Sequence, residues 1–419
     1  MGGFSVRRLQ ASRRGNIASL TALMMPILIG TAGLASDTIQ WTLTKRMMQR
    51  AADSGAIAGA YALSQAADSD SEAVHQAALG DIGRNGGFVM NINPVINSPA
   101  TSGSFRDASA AVEVILATDL QLPFTGFIMD GPVRISARAV AEIVGNGDYC
   151  VLALEHTDTP GIPIGGSATV DLGCGMMSNA PSTTSIIANG ASFVRASPVA
   201  AVGNVPPGNY ASGTVRQEYA LPLRDPYRNL PDPPNISSSN NDIRVQPNRT
   251  NNSIGPGTYR DIDISGTATF GPGVYYVTGS MNFGSQSNVT TNGAVFILTA
   301  TNAASNTSNI ATVNMNGGAR INMTAPSSGT YSGILFYQDR RASNMATNII
   351  NGNSTSLLQG ALYFPRQELQ MNGTSGMNTR CVQIVARRVD WRGNNSIQNV
   401  CPANSGANSF SGTQIKLVA

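Results

Sequence analysis

"GPGTYRDIDISGTATFGPGVYYVTGSMNFG", residues 255–284, contains one phrase twice. Gly255-Pro256-Gly257-Thr258-Tyr259 returns sixteen residues later as Gly271-Pro272-Gly273-Val274-Tyr275, and each copy leads into a short alternating strand. Further on, the apolar runs "AVFIL", "GILFY", "GALYF" and "VQIV" are separated by roughly 20 to 40 residues of Asn/Gly/Ser-rich turn. A fixed supersecondary unit with irregular turns is the pattern of a parallel β-helix, in which successive coils stack and alternate side chains fill a narrow core. Gly and Asn supply the left-handed turn conformations. A β-sandwich is the competing architecture. Two-residue hairpin turns are few here and turn lengths vary widely, which favours the β-helix.

The same style begins at about Asp148, in "CVLALEHTDTPGIPIGGSATVDLGCGMMSNAPSTTSIIANGASFV", so the β-helix domain is placed at 148–419. It is interrupted at about 203–235 by a Pro-rich crossing, "VPPGNY" through "LPDPPN". That crossing reads as a surface excursion or lid, because strands resume after it. Upstream, residues 67–147 read as a small α/β module: a helical run with Ala73, Val74, Ala77, Ala78 and Ile82, then strand-like "FVMNINPV", "AAVEVILAT" and "VRISARAVAEIV". "LQLPFTGFIMDGP" punctuates the last two.

The N-terminus is different again. After a stub of residues 1–15, Ile17 to Ala35 are nineteen residues without a charge. At about 1.5 Å per residue they span roughly 28 Å, close to the hydrocarbon thickness of a bilayer. A cleaved secretory signal is the alternative, with Gly33-Leu34-Ala35 offering small residues at a cleavage site, but its apolar region is usually only about 7–15 residues long. No helix breaker follows until Gly55, and Ile39, Leu43, Met47 and Ala51 mark one helical face, so the span continues as a stalk over 16–66. Arg7, Arg8, Arg13 and Arg14 before the span outnumber Lys45, Arg46 and Arg50 after it, which places the N-terminus in the cytoplasm, with Trp41 as an interfacial aromatic beyond. Gly55-x-x-x-Gly59, among alanines, offers a surface for close helix packing, against another helix or against its own module.

Charged residues make up 12% of the 419, and the net charge is +3 without a basic stripe, against a usual charged share of about 25%. Nothing points to nucleic acid. Four cysteines, Cys150, Cys174, Cys381 and Cys401, all follow the span, and only two histidines exist, so disulfides fit and a zinc site does not. Three connectivities are open. Neighbour pairing, Cys150–Cys174 and Cys381–Cys401, spaces each pair by about one coil. Asp261 and Asp263, Arg340-Arg341, Arg387-Arg388, and Tyr337, Tyr363 and Trp391 are the residues an enzyme or glycan binder on a β-helix would draw on. Solvated carboxylates and solubilising arginines are the plainer reading. No metal, cofactor or catalytic residue is expected, and the chain reads as non-enzymatic.

Arg13-Arg14-Gly15-Asn16, the apolar span, Gly33-Leu34-Ala35-Ser36-Asp37, Lys45-Arg46 and Gln49-Arg50-Ala51-Ala52-Asp53 together resemble the N-terminal domain of TadG-like Flp (Tad) pilus-assembly proteins. "MTAPSSGTYSGILFYQDR", "LQGALYFPRQELQMNG", "CVQIVARRV" and "IKLVA" resemble the right-handed β-helix half of the same proteins. The resemblance implies a bacterial cytoplasmic-membrane protein with a single pass, its N-terminus in the cytoplasm and its bulk periplasmic or extracellular. Its partners would be other Tad pilus-assembly proteins or pilins, and cell-wall or outer-membrane components. TadE-type pseudopilins are similar but place a Glu five residues after the processing Gly, where this chain has Leu20. A surface carbohydrate-active enzyme or adhesin, and a minor pseudopilin, are the alternative functions.

Overall fold

The computed structural model describes residues 16–65, 71–127, 129, 131–343, 346–351, 356–373, 377–393, 396–399 and 410–419. Two compact units divide the chain, one formed by Met1–Val144 with Ile415–Ala419, the other by Gly145–Gln414.

In the first unit, helices α1 (Asn16–Gln65) and α2 (Ser71–Arg84) pack on strands β1 (Val95–Asn97), β2 (Ala111–Leu120) and β3 (Val133–Ala153, of which residues 133–144 belong here). β2 runs antiparallel to β3 from Ala111↔Glu142 to Leu120↔Val133, and β1 antiparallel to β2. Alternation along β2 and β3 turns Val112, Val114, Leu116, Ile135, Ala137 and Ala139 into one core with the helices. α2 contributes Val74, Ala78 and Ile82, four residues apart. Of the expected strand "FVMNINPV", only its last residue, Val95, is in a strand.

The stalk face is corrected. Of the expected face Ile39 and Leu43 are 59% and 52% exposed while Ala51 is buried, and the buried stripe of α1 joins Ala51 to Met48, Ala52, Ala56 and Ala60. Both stripes recur every four residues, so periodicity did not separate them. The small side chains are the ones that allow α2 and the sheet to come close.

The second unit is a mainly parallel β-helix. Each strand pairs in parallel with the strand one coil on, as Ile243↔Ile262, Ile262↔Met281 and Met281↔Val313. One ladder passes through every coil: Gly257↔Tyr275, Tyr275↔Phe296, Phe296↔Phe336, Phe336↔Leu362 and Leu362↔Ile384. It then continues Ile384↔Val151, Val151↔Met176, Met176↔Val199 and Val199↔Arg216. The spatial order of coils is therefore a circular permutation of the chain order. The chain enters the stack in the middle, winds outward to residue 217, returns to the far end at Ile243, and winds back until its last coil lies on its first.

This ladder lines the core. Tyr275, Phe296, Phe336 and Leu362 are fully buried, and Phe296 and Phe336 stack with ring centroids 5.5 Å apart. The neighbouring residues Ile297, Tyr337, Tyr363, Val385, Leu152, Met177 and Ala200 point out of the coil, yet they too are buried. A parallel sheet covered on both faces reads as a continuous apolar run, which is why "AVFIL" and "GALYF" do not alternate.

The cover is the Pro-rich segment. After residue 217 it runs back along the stack to residue 242, touching coil after coil. Leu223 exchanges hydrogen bonds with the Asn179 side chain (2.7 and 2.9 Å), the Tyr227 hydroxyl donates to Gln383 (2.5 Å), and Tyr363 donates to Asp225 (2.6 Å). Farther along, the Arg340 guanidinium donates to the Arg228 and Leu230 carbonyls and to Asp232, and Asn302 donates to the Ile236 carbonyl. Nine coil steps at ~4.8 Å make a return of about 43 Å.

The repeated phrase has a local cause. Tyr259 donates its hydroxyl to the Gly255 carbonyl and Tyr275 to that of Gly271, the same four-residue reach in both copies. The coils align Gly257 with Tyr275, not with Gly273, so the repeat is one of turn construction and not of register.

Candidate functional site

The lower part of α1 is bare. Ile17, Leu23, Met25, Ile27, Leu28 and Ile29 are all more than half exposed, and exposure of large apolar groups continues through Leu34, Ile39, Trp41 and Leu43. Among the described residues α1 is the one helix long and apolar enough to cross a membrane. Pro26 lies inside it, which a membrane helix tolerates.

Among the described residues of this bare stretch two are buried, Gly33 and Asp37. The cover is the connection between β2 and β3. The Phe124 ring lies against Gly33 so closely that a Cβ there would have no room. Asp37 is 2% exposed, and its Oδ2 accepts hydrogen bonds from the backbone N–H of Phe124 (2.9 Å), that of Thr125 (2.5 Å) and the Thr125 hydroxyl (2.8 Å). Thr125 opens a short 3-10 turn, Thr125–Phe127, whose first N–H groups have no partner within the turn, so a carboxylate suits them. Higher up, Lys45 donates to the Ser136 carbonyl, and Gln49 donates to that of Arg138 (2.9 Å), which fastens α1 to β3.

A second carboxylate organises the unit. Glu113 of β2 is fully buried and accepts from Asn97, Thr101, Ser102 and, at 2.8 Å, Arg138. Burial works against its charge, but the hydrogen bonds from Ser102, Asn97 and Thr101 outweigh it and hold the carboxyl at about 2, below its ordinary 4.5.

An exposed apolar helix of this length fits a membrane-anchored protein. Residues 15–68 match the family model of putative Flp pilus-assembly TadE/G-like proteins, which supports involvement in Tad pilus assembly. No curated protein and no solved structure matches the chain.

The remaining sequence candidates fall as follows. Arg7, Arg8, Arg13 and Arg14 lie outside the described residues, and Trp41 is 41% exposed on α1. Gly55 and Gly59 face their own module: a Cβ on Gly55 would meet Ile82 at 2.7 Å, and one on Gly59 would meet Val112 at 2.9 Å. Cys150, in β3, and Cys174, just before the strand that begins at Gly175, are joined with Cα atoms 5.9 Å apart, beside the pairing of Tyr149 with Gly175. The pairing expected for Cys381 and Cys401 involves Cys401, which lies outside the described residues.

Tyr337, Tyr363 and Trp391 are fully buried and offer no sugar-stacking surface. The arginines are not merely solubilising. Arg340 and Arg341 hold the Pro-rich segment, Arg387 pairs with Glu155 and Arg388 with Glu368. Asp261 accepts from Ser280 and Arg260, and Asp263 lies 3.7 Å from Arg244. Sequence reasoning missed the clasp on Asp37. Its one signal was a connection rich in Leu and Phe, "LQLPFTGF", where a surface loop would be polar.

Proposed function

We propose that this chain is a membrane-anchored, non-enzymatic component of a Tad (Flp-type) pilus assembly or secretion apparatus. α1 crosses the cytoplasmic membrane once with its N-terminus in the cytoplasm, and the β-helix stands outside as a docking or spacer body. The observation that carries the reading is a coincidence of place: the residues matching the pilus-assembly family, 15–68, take in α1, whose lower part is the bare apolar stretch.

Two features support a mechanical role. The β-helix carboxylates Asp339, Asp390, Glu155 and Glu368 are each tied to an arginine, and the pairs of Asp339, Glu155 and Glu368 hold coils and cover together. The outward aromatic face, which could have received a glycan, is filled by the chain's own Pro-rich segment. The partners are other pilus-assembly proteins or pilins.

The test is cross-linking in whole cells followed by identification of the adducts, with deletion of the chain in parallel. Adducts with pilus components and loss of pili are expected. Normal piliation with no such adducts overturns the reading. A mature chain lacking the residues before Ile17 would instead point to a processed pseudopilin.

A further inference from the structure

We infer that the β2–β3 connection, through its described residues 121–127 and 129, is a second membrane-contacting element that sits in the outer headgroup layer beside α1. The inference rests on the membrane-anchor reading above and adds a surface to it.

Height is fixed first. From Ile17 to Asp37 the helix rises about 30 Å, the thickness of the hydrocarbon core, so Asp37 stands at its outer boundary. The connection is tied at that height through Phe124 against Gly33 and through Phe124 and Thr125 to the Asp37 carboxylate. A segment fastened there cannot avoid the lipid surface.

Its exposed side chains suit that place. Phe124 is 36% and Met129 57% exposed, on a connection that solvent would ordinarily populate with polar groups. Cations follow directly above. Arg134 is exposed at the base of the connection, across the ladder from Asp119, and Lys45 donates to the Ser136 carbonyl two residues further along β3. Apolar tips below and basic groups above match acyl chains below and phosphates above.

The arrangement also explains Asp37. A carboxylate at the edge of the hydrocarbon is costly unless donors satisfy it, and water is scarce there. The two backbone N–H groups and the Thr125 hydroxyl supply them to Oδ2, while Oδ1 is buried without a hydrogen-bond partner among the described residues. The connection is thus a polar cap for Asp37, the acidic group at the upper end of the apolar span, and an apolar foot for the module.

Full-length protein reconstituted in phosphatidylcholine/phosphatidylglycerol vesicles tests this with brominated lipids. In a Trp41→Phe background, only Trp391 remains, buried in the β-helix core. Phe124→Trp and Met129→Trp are placed separately, with Ile27→Trp as the anchor probe. Quenching of Ile27→Trp should be strongest with bromines deep in the acyl chain. Phe124→Trp and Met129→Trp should be quenched most by bromines near the glycerol and should lose most of their added fluorescence. If Ile27→Trp is quenched and neither of the other two responds to any lipid, the connection is not in the membrane and the inference falls while the anchor stands. If Ile27→Trp also escapes, the anchor reading itself falls and takes the connection with it.

Discussion

Ile384 and Val151 lie side by side in one parallel ladder, although more than two hundred residues separate them in the chain. Ser396↔Thr169 and Trp391↔Ile164 extend the same seam around the coil. The seam joins the last coil to the first, so neither end of the chain's winding is an end of the stack. In a stack whose coils touch only their neighbours, such a junction transmits stability between segments that sequence keeps apart.

Ile384→Ala is expected to cost about 2–5 kcal/mol, as for other buried large-to-small changes. The distinctive outcome is its reach. Hydrogen exchange should quicken in residues 149–153 and 175–178, before the Pro-rich segment, as well as in 357–371. If the early coils kept wild-type protection while the late ones lost it, the seam would be a contact without energetic weight.

Tyr227 is the anchor of the Pro-rich cover. Its ring meets Tyr363 edge-on at 5.3 Å and Phe410 at 6.2 Å, and its hydroxyl reaches Gln383. Tyr227→Ala should cost on the order of 3 kcal/mol and speed tryptic cleavage after Arg224 and Arg228. Tyr227→Phe removes only one hydrogen bond, worth about 1 kcal/mol, and should leave cleavage near the wild-type rate. Equal cleavage of both variants and wild type would mean that the cover is held elsewhere.

Glu113 gives the first unit an acid limit. Its folded carboxyl is held at about 2, below the ordinary 4.5. A depressed acid stabilises fully above 4.5, and its contribution fades as pH falls toward about 2, because the unfolded chain takes up the proton first. The full difference is on the order of 3 kcal/mol. Protection of β2 amides should therefore decline across that window, and Glu113→Gln should be less stable at pH 7 but flatter below pH 4.5. An identical acid profile for the two would sink the assignment.

What sequence revealed depended on how local the cause was. The apolar span, the β-rich style and the turn phrase at Gly255 and Gly271 are written in neighbouring residues, and all three are legible. The permutation is not. Strands near Val151 and Ile384 look alike to any local pattern, and parallel pairing leaves no mark of which coil lies next to which. The Pro-rich segment reads correctly as an excursion, but its return along the stack is set by contacts such as Tyr363 to Asp225, far apart in sequence. Asp37 is visible as the charge that ends the span. Its partners lie 87 and 88 residues away, and no spacing rule connects them.

Gly55 and Gly59 allow a sharp test of where the stalk spends its small-residue surface. Such a surface permits close backbone approach, and in a membrane helix it commonly receives another helix. Here the space is already taken. Ile82 and Ala78 of α2 lie over Gly55, and Val112 of β2, with Ala78 and Val74, lies over Gly59. A leucine at either position must displace these groups, at about 1–3 kcal/mol for an overpacked site. The expected result of Gly59→Leu is lost exchange protection in α2 and β2, with the cross-linking pattern to pilus components changed only as far as the module is loosened. Gly83 of α2, by contrast, has open space beyond it and should tolerate alanine without loss of packing, with a gain of helix propensity up to about 1 kcal/mol. If Gly59→Leu left α2 and β2 as protected as before while abolishing adducts to a partner, the face would belong to that partner and not to the module.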